Sequence, residues 1–521
     1  MLQTNISEVL TKSLNTVNKF PKLSCFVAGL LLKFCFCKGS CIPILLVPVF
    51  AVLLYFLRIA PIKRDAFGLG YLFGLGYFFS TLYWIAEAFK CVGLGNYGYL
   101  AVMALALYLS LYPALSCLFA KYFSRNQTSL IIWFSVFWGL GEYVRGWAFT
   151  GFPWNLVGYA TYNIPYFVQV ADIFGGYGLS LLTILIVTLS TTRKTLKYSF
   201  GLFVFVCVYG IWKVHLYTGY ILSENKIQVT LVQPSISQKD KMDIRKFKSN
   251  IYRQIGLSLR NRSELKLYSA QKLIVWPEAA INAPKRYQEK ILKYISSSLC
   301  DSETILVTGC DRYDDDNNPY NSVYIVGQNG KIKQTYDKRH LLPFGEYIPE
   351  FLNFFGIQKL TKGVANFKQG SLSRTITLER AEPFDIVICY EIAFPGEITD
   401  NSASTWILNI TNDAWFGNSD GPSQHLRMAC FRAIEEGKPI ARCANNGISC
   451  IIDCNGKIRE KLDTDEIGVI STLMPLHACK TVFSSHKDIT FFFAIALLSF
   501  IGTILNRTKI YKKDIGREER I

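Results

Sequence analysis

Charge is scarce in this chain. Only 18% of its 521 residues are charged, against 50% hydrophobic and 14% aromatic, a balance that excludes an ordinary soluble protein and points to a membrane protein. Cys-x-x-Cys and His-Glu-x-x-His patterns are absent, so the common zinc signatures are excluded, and no glycine-rich loop is present to cradle a nucleotide phosphate. The 15 cysteines stand mostly alone, with Cys35, Cys37, Cys91, Cys117 and Cys207 within or beside apolar stretches. Neither a disulfide framework nor a metal site is expected from them, and no cofactor.

What the chain has instead is long apolar runs. Seven fall in its first part, at 23–37, 42–59, 67–89, 99–120, 129–149, 177–191 and 198–217, and an eighth at 489–505. The first and sixth are shorter than the roughly 20 residues a helix needs to cross a bilayer. The first also contains Lys33, and a cleaved signal peptide with Lys12, Lys19 and Lys22 as its basic region is the rival reading of it.

An uncleaved first span makes the charge pattern consistent throughout. With a cytoplasmic N-terminus, segments 1–22, 61–66, 121–128, 192–197 and 507–521 lie inside and carry +11 of the net +17. The external loops 90–98 and 150–176 hold a single basic residue, Lys90, as the positive-inside rule requires. The basic excess is therefore a topology signal and not a nucleic-acid footprint. Eight spans put both termini inside and residues 218–488 outside.

Within the apolar part, "GLGYLFGLG" sets Gly70 and Gly74 at the spacing that lets two helices approach closely. Glu142 and Arg145 are three residues apart on one helix, where an intrahelical ion pair offsets the cost of charge in or near a membrane. The following "FTGFPWNLVGY" reads as an interfacial loop with an aromatic belt.

Residues 226–475 have a different texture. The runs "KIQVTLVQP", "KLIVWPE", "TILVTG", "FDIVICYE" and "WILNITN" are buried-strand patterns, and helices are expected at 240–260, 285–299 and 422–436. "SVYIVGQNGKIKQTY" and "SCIIDCNGKIREKL" each place Asn-Gly between strand-like runs, a hairpin signal. This is an α/β layer domain with hairpins inserted, large enough for its own core.

Three chemically capable groups follow such runs: Glu278 in "IVWPEAA", Lys338 in "QTYDKRHLLPFGEY" and Cys389 in "VICYE". Strand ends are where α/β folds collect their chemistry. A thiol needs a base, which a buried glutamate can be, and a fixed ammonium can stabilise the oxyanion of a tetrahedral intermediate. Each residue also has a bland reading, as a core cysteine, a helix-start carboxylate and a solvated lysine. A Cys-His pairing of Cys389 with His340 or His425 is an open alternative on residue types alone.

The words "WPE", "YDKRHLLPFGEY" and "CYE", followed by "NITNDAWFG" and "ARCANNGIS", resemble the nitrilase superfamily. Together with seven spans upstream and one downstream, they resemble its membrane-embedded apolipoprotein N-acyltransferase family over essentially the whole chain. The resemblance implies an αββα domain with a Glu278–Lys338–Cys389 triad, supported by Glu346, Tyr390 and Glu391, the last two being candidate parts of a lipid-binding mouth. It also implies that Trp415 lies near the lipid site. Cys389 would attack an acyl ester of a phospholipid, typically phosphatidylethanolamine, and pass the acyl chain through a thioester to the N-terminal amine of a diacylglyceryl-cysteine apolipoprotein. The family often carries a tryptophan in the loop after the first strand, where "QPSISQKDKMDIRK" offers Met242, which bears on acceptor contacts.

The expected architecture is thus a membrane bundle of eight helices plus an α/β nitrilase-like sandwich. Its parts are residues 1–217 with seven spans, an external catalytic domain at 218–488, and a last span with a basic tail at 489–521. The expected site is a bacterial inner membrane with the catalytic domain facing the periplasm. "FLNFFGIQKL" at 351–360 reads as a lid over the acyl chain that touches the bilayer, or as an ordinary amphipathic helix. The rival functions are a membrane-tethered amidase using water as acceptor and a lipid-binding protein without catalysis.

Overall fold

A computed structural model describes residues 19–39, 42–218, 227–260, 271–349, 366–400, 403–475 and 479–507. The expected lid at 351–360 and most of the two basic termini lie outside these residues.

The first part is helical. Four helices among the described residues are long and apolar enough to cross a membrane: Gly95–Phe123, Val168–Leu189, Arg193–Leu216 and Ile489–Arg507. The pair Lys63–Thr81 and Ile85–Cys91, bent by 46°, makes a fifth if taken as one span. The expectation of eight differs at three places. The first apolar run breaks into Pro21–Leu31 and Lys33–Phe36, and the second forms only the shorter apolar stretch Pro43–Ile59. The fifth, Gln127–Trp147, has 21 residues but falls outside the apolar class, its mean hydropathy lowered by polar residues such as Glu142 and Arg145.

Close helix approach uses glycine as its spacing suggests. A Cβ on Gly70 would stand 2.6 Å from the Pro113 carbonyl oxygen, and one on Gly74 3.0 Å from Ser110 Cα. Only a residue without a side chain lets Lys63–Thr81 seat this tightly on Leu111–Phe123.

Glu142 and Arg145 are both buried with a nitrogen–oxygen distance of 3.9 Å, so the ion pair exists but is loose. Their shorter contacts hold the loop that follows: Arg145 Nη1 donates to the Phe152 and Trp154 carbonyls at 2.9 and 2.7 Å, and Glu142 Oε1 accepts from Val157 N at 2.9 Å. That loop is not an exposed interfacial belt. Trp154, Leu156, Val157 and Tyr159 are buried, with Trp154 against His425 and Tyr159 against Phe431 of the second part.

The second part is built on two six-stranded sheets. In chain order the strands are β1 (Ile227–Gln233), β2 (Gln271–Val275), β3 (Thr304–Tyr313), β4 (Pro319–Val326) and β5 (Ile332–Asp337), then β6 (Thr375–Leu378), β7 (Ala381–Ile388) and β8 (Trp406–Thr411). β9 (Ile440–Ala444), β10 (Ser449–Ile452), β11 (Ile458–Leu462) and β12 (Gly468–Leu473) follow. Sheet one runs β12-β1-β2-β3-β4-β5 and sheet two β11-β10-β9-β8-β7-β6. The centre of each is parallel, β1 with β2 and β3, β7 with β8 and β9. The two Asn-Gly segments form the antiparallel hairpins β4–β5 and β10–β11.

The sheets pack face to face through Val229, Leu231, Val307, Ile386, Leu408 and their neighbours. Burying each such side chain contributes about 1.5–3 kcal/mol relative to exposure. Phe247–Arg260 and Lys285–Leu299 cover the outer face of sheet one, the latter through Leu292, Ile295 and Leu299 at helical spacing. Gly421–Glu436 covers sheet two through Leu426, Ala429 and Ala433. Its other side presents Met428, Phe431 and Ile434 to the helical part, against residues such as Tyr159. The layer order is αββα, with this last helix shared between both halves of the chain.

Candidate active site

Three strand ends converge where the sheets meet the helical part. β2 runs into Glu278, β5 ends immediately before Lys338, and β7 ends immediately before Cys389. Lys338 is buried, with its ammonium 2.9 Å from Glu346 Oε1 and 3.5 Å from Glu278 Oε1. Asn321, on β4, donates through one amide nitrogen to both carboxylates, at 2.8 Å to Glu278 and 2.7 Å to Glu346. Glu278 Oε2 accepts from Asn412 N at 2.9 Å, and Glu346 Oε2 from Leu342 N at 2.6 Å. Each carboxylate is thereby fixed by donors on both oxygens.

Burial disfavours the Lys338 ammonium, but Glu346 and then Glu278 outweigh it and hold its pKa above the ordinary lysine value. The lysine is a permanent cation. At Cys389 the balance is opposite: burial, then the charge of Glu278, push the thiol up against the pull of Lys338. The resting sulfur is protonated, and it would need a base to act as a nucleophile.

Cys389 has a backbone φ of +50°, a conformation that costs a non-glycine residue about 1–3 kcal/mol. Two contacts hold the sharp turn. Glu391 Oε2 accepts from Ile388 N at 2.7 Å, and His425 Nε2 lies 3.1 Å from the Cys389 carbonyl. That carbonyl can only accept, so Nε2 carries the ring proton. The His425 Nδ1 lies 3.0 Å from both Asp413 Oδ1 and Arg442 Nη2. Burial, followed by the charge of Arg442, keeps the ring pKa below its usual value. The ring is neutral and serves the turn.

This arrangement bears on the Cys-His alternative. His425 addresses the backbone of Cys389, while His340 Nε2 sits 2.9 Å from the Thr150 carbonyl and its ring stacks on Phe394 at 3.6 Å. Both imidazoles are engaged as scaffold.

Glu391 is fully buried and not at a mouth. Besides Ile388 N it accepts from Tyr336 OH at 2.8 Å and Arg339 N at 2.9 Å, and it pairs with Arg374 at 3.2 Å. Burial opposes its charge, but Arg374 and these donors hold its pKa below the ordinary glutamate value. It ties the Cys389 turn to the Lys338 segment. Tyr390 reaches the other way: its hydroxyl donates to the Gly151 carbonyl at 3.0 Å, and its ring lies against Trp154 and Phe394. Trp415 is half-buried on the turn Asp413–Phe416, while its neighbour Phe416 packs on Trp84 at 4.7 Å. Met242 is exposed. Its neighbour Lys241 donates to the Glu278 carbonyl at 2.7 Å, and burial draws its pKa down to about 8.

Asn321, Asn412 and Lys241 went unread in the sequence, and His425 was read only as a rival base. Asn321 left one trace, an amide at the start of the strand-like run "YNSVYIV".

Two family descriptions match the chain, apolipoprotein N-acyltransferase N-terminal domain over residues 28–189 and carbon-nitrogen hydrolase over residues 229–482. Among curated proteins, the apolipoprotein N-acyltransferase of Rickettsia bellii is 33% identical over 516 residues, covering 95% of this chain and 99% of its own. That of Brucella melitensis is 33% identical over 427 residues, covering 78% of each. Among solved structures, Saccharomyces cerevisiae Nit3, a member of branch 10 of the nitrilase superfamily, is 20% identical with a TM-score of 0.36, covering 51% of this chain and 94% of its own. At one-third identity over nearly the full length of both sequences, the chain belongs to the apolipoprotein N-acyltransferase family.

Proposed function

We propose that this protein transfers an acyl chain from a phospholipid, phosphatidylethanolamine being the expected donor, to the N-terminal amine of a diacylglyceryl-cysteine apolipoprotein. The observation that carries the mechanism is the Lys338 ammonium, held between Glu346 and Glu278 next to a cysteine on a strained strand end.

In the first half-reaction Glu278 takes the Cys389 proton as sulfur attacks the ester carbonyl. Lys338 and a backbone N–H beside Cys389 stabilise the oxyanion. When the intermediate collapses, Glu278 returns the proton to the leaving alkoxide, giving a lysophospholipid and a Cys389 thioester. In the second half the acceptor amine attacks the thioester carbonyl, Glu278 takes an amine proton, and the thiol is reformed as the amide is released. This is a ping-pong scheme with one acid-base group. Glu346 and Asn321 position Lys338 and Glu278, and Tyr390 fixes the nucleophile's turn against the loop at Gly151.

The membrane reading is supported by apolar side chains that the protein leaves uncovered. Phe200, Phe205, Trp212, Phe493 and Phe500 are exposed on the helices Arg193–Thr218 and Ile489–Arg507, a surface that water would not tolerate. In this reading residues 1–217 form the membrane domain with seven crossings, 218–488 the periplasmic catalytic domain, and 489–521 the eighth crossing with its tail. The host membrane is the bacterial inner membrane. Trp415 sits beside the donor lipid.

The test is intact-mass analysis after incubation with phospholipid. An acyl adduct should appear on the wild-type chain and be lost in Cys389→Ala. No adduct together with turnover of a small amide would replace the transferase by the amidase reading.

A further inference from the structure

We propose that Cys454 and Cys479 form a disulfide in the mature protein, which fastens the start of the last helical segment to the β10–β11 hairpin. It rests on the proposed periplasmic placement of the domain, since disulfides persist in oxidising compartments. It also departs from the sequence reading, in which the cysteines build no crosslinks.

The two sulfurs stand 3.0 Å apart, an approach that leaves roughly 1 Å to close to the bonded distance of about 2.05 Å. Both residues are buried, at 4% and 6% exposure, so the pair is held by packing on every side. Cys454 sits in the turn between β10 and β11, which Asp453 closes by accepting from Lys457 N at 2.9 Å. Cys479 N donates to the Gly437 carbonyl at 2.7 Å, and Thr481 Oγ1 to the Glu435 carbonyl at 2.6 Å. Cys479 is thus docked on the end of the helix Gly421–Glu436, whose His425 holds the Cys389 turn.

A cation completes the cluster. Lys213 lies buried at 1% exposure, 3.3 Å from Asp172 Oδ2, and its Nζ makes no hydrogen bond among the described residues. Its charge acts on both thiols. The two thiols share one hydrogen bond in which either sulfur can donate, and the Lys213 charge favours the thiolate form of both. Either sulfur can therefore open the exchange.

The chemistry needs an oxidant that carries a disulfide, such as a thiol–disulfide oxidoreductase of the same compartment. One thiolate of the pair attacks one sulfur of that disulfide, forming a mixed disulfide and releasing the oxidant's other sulfur as a thiolate. The other cysteine gives up its proton and attacks the protein sulfur of the mixed disulfide, and the oxidant's second sulfur leaves. Two protein thiols are oxidised by two electrons, and the oxidant's disulfide becomes a dithiol. Because both sulfurs are buried in the finished fold, the exchange precedes final docking of Cys479.

The experiment uses the full wild-type chain taken from its membrane. Free thiols are blocked with N-ethylmaleimide under denaturing conditions, the protein is reduced, and newly exposed thiols take an isotopically heavy maleimide. Positions 454 and 479 should carry the heavy label, and a non-reduced digest should contain one linked peptide lighter than its parts by two hydrogens. Light label on both residues would overturn the proposal. A Lys461→Cys variant in intact spheroplasts, probed with a membrane-impermeant maleimide, then separates the causes. Labelling at 461 with reduced Cys454 and Cys479 faults the pairing, whereas protection at 461 faults the orientation, and the disulfide falls with it.

Discussion

The Lys338 ammonium lies 3.5 Å from Glu278 Oε1 but 2.9 Å from Glu346 Oε1. Glu346 thus draws the lysine to one side of Glu278, the proposed base.

Glu346→Gln removes that counterweight without changing shape. Lys338 should then settle on Glu278, and the rate of thioester formation should fall by about 100-fold, within the range for losing a positioned base. Single-turnover adduct formation measures it, and a wild-type rate would assign Glu346 to structure alone.

Lys338→Arg keeps the charge but offers a planar fork where the site has room for a compact ammonium. Acyl transfer should drop about 10²- to 10³-fold, the cost of losing an oxyanion donor. Near-normal turnover in a lipoprotein N-acylation assay would mean that only positive charge is required.

Asp413 gives an acid-stability prediction. Despite burial, the Arg442 guanidinium beside it lowers its pKa from 3.8 to about 2. A depressed carboxylate contributes stability that is present above its unfolded pKa and lost as pH falls through its folded one. The contribution is about 2 kcal/mol. Unfolding in detergent should show this loss between about pH 4 and pH 2 in the wild type and lack it in Asp413→Asn. A wild-type acid profile in the variant would contradict it.

Gly70→Ala should destabilise the helical part by about 1–3 kcal/mol, because the new Cβ would stand 2.6 Å from the Pro113 carbonyl oxygen and 2.9 Å from Ala114 Cα. Gly201→Ala is the control, since a Cβ there meets nothing within 4 Å. Helix propensity alone should leave that variant equal or slightly more stable. Equal thermal midpoints for both would remove the close-packing argument.

The parts legible in the sequence were those with local signatures. Period-two and continuous apolar runs gave the strands before Glu278 and Cys389, and Asn-Gly gave both hairpins, one of which delivers Lys338. Asn321 and Asn412 N were hidden because their partner Glu278 lies 43 and 134 residues away along the chain, and an amide carries no sign of what it will face. His425 looked like a rival base because its residue type fits that role, and only its distance to the Cys389 carbonyl assigns it to the turn. The Glu142–Arg145 spacing announced an ion pair, but the backbone groups both residues bind belong to a loop whose burial depends on a domain folded from later sequence. The eight-crossing count differs where an apolar run is broken, short or interrupted by charge: the first run splits at Leu32, the second stays short, and Gln127–Trp147 carries Glu142 and Arg145.

The helix Gly421–Glu436 has a practical consequence. Gln424 accepts from the indoles of Trp84 and Trp154, and Arg427 reaches the Cys37 carbonyl, while the adjacent His425 grips the Cys389 turn. Excising residues 218–488 as a water-soluble reagent would leave Met428, Phe431 and Ile434 bare and Gln424 and Arg427 without these partners, on the one helix that keeps Cys389 in register. Anyone seeking a detergent-free fragment would have to redesign that face first, and inhibitors screened on such a fragment would meet a different pocket from the one lipids meet.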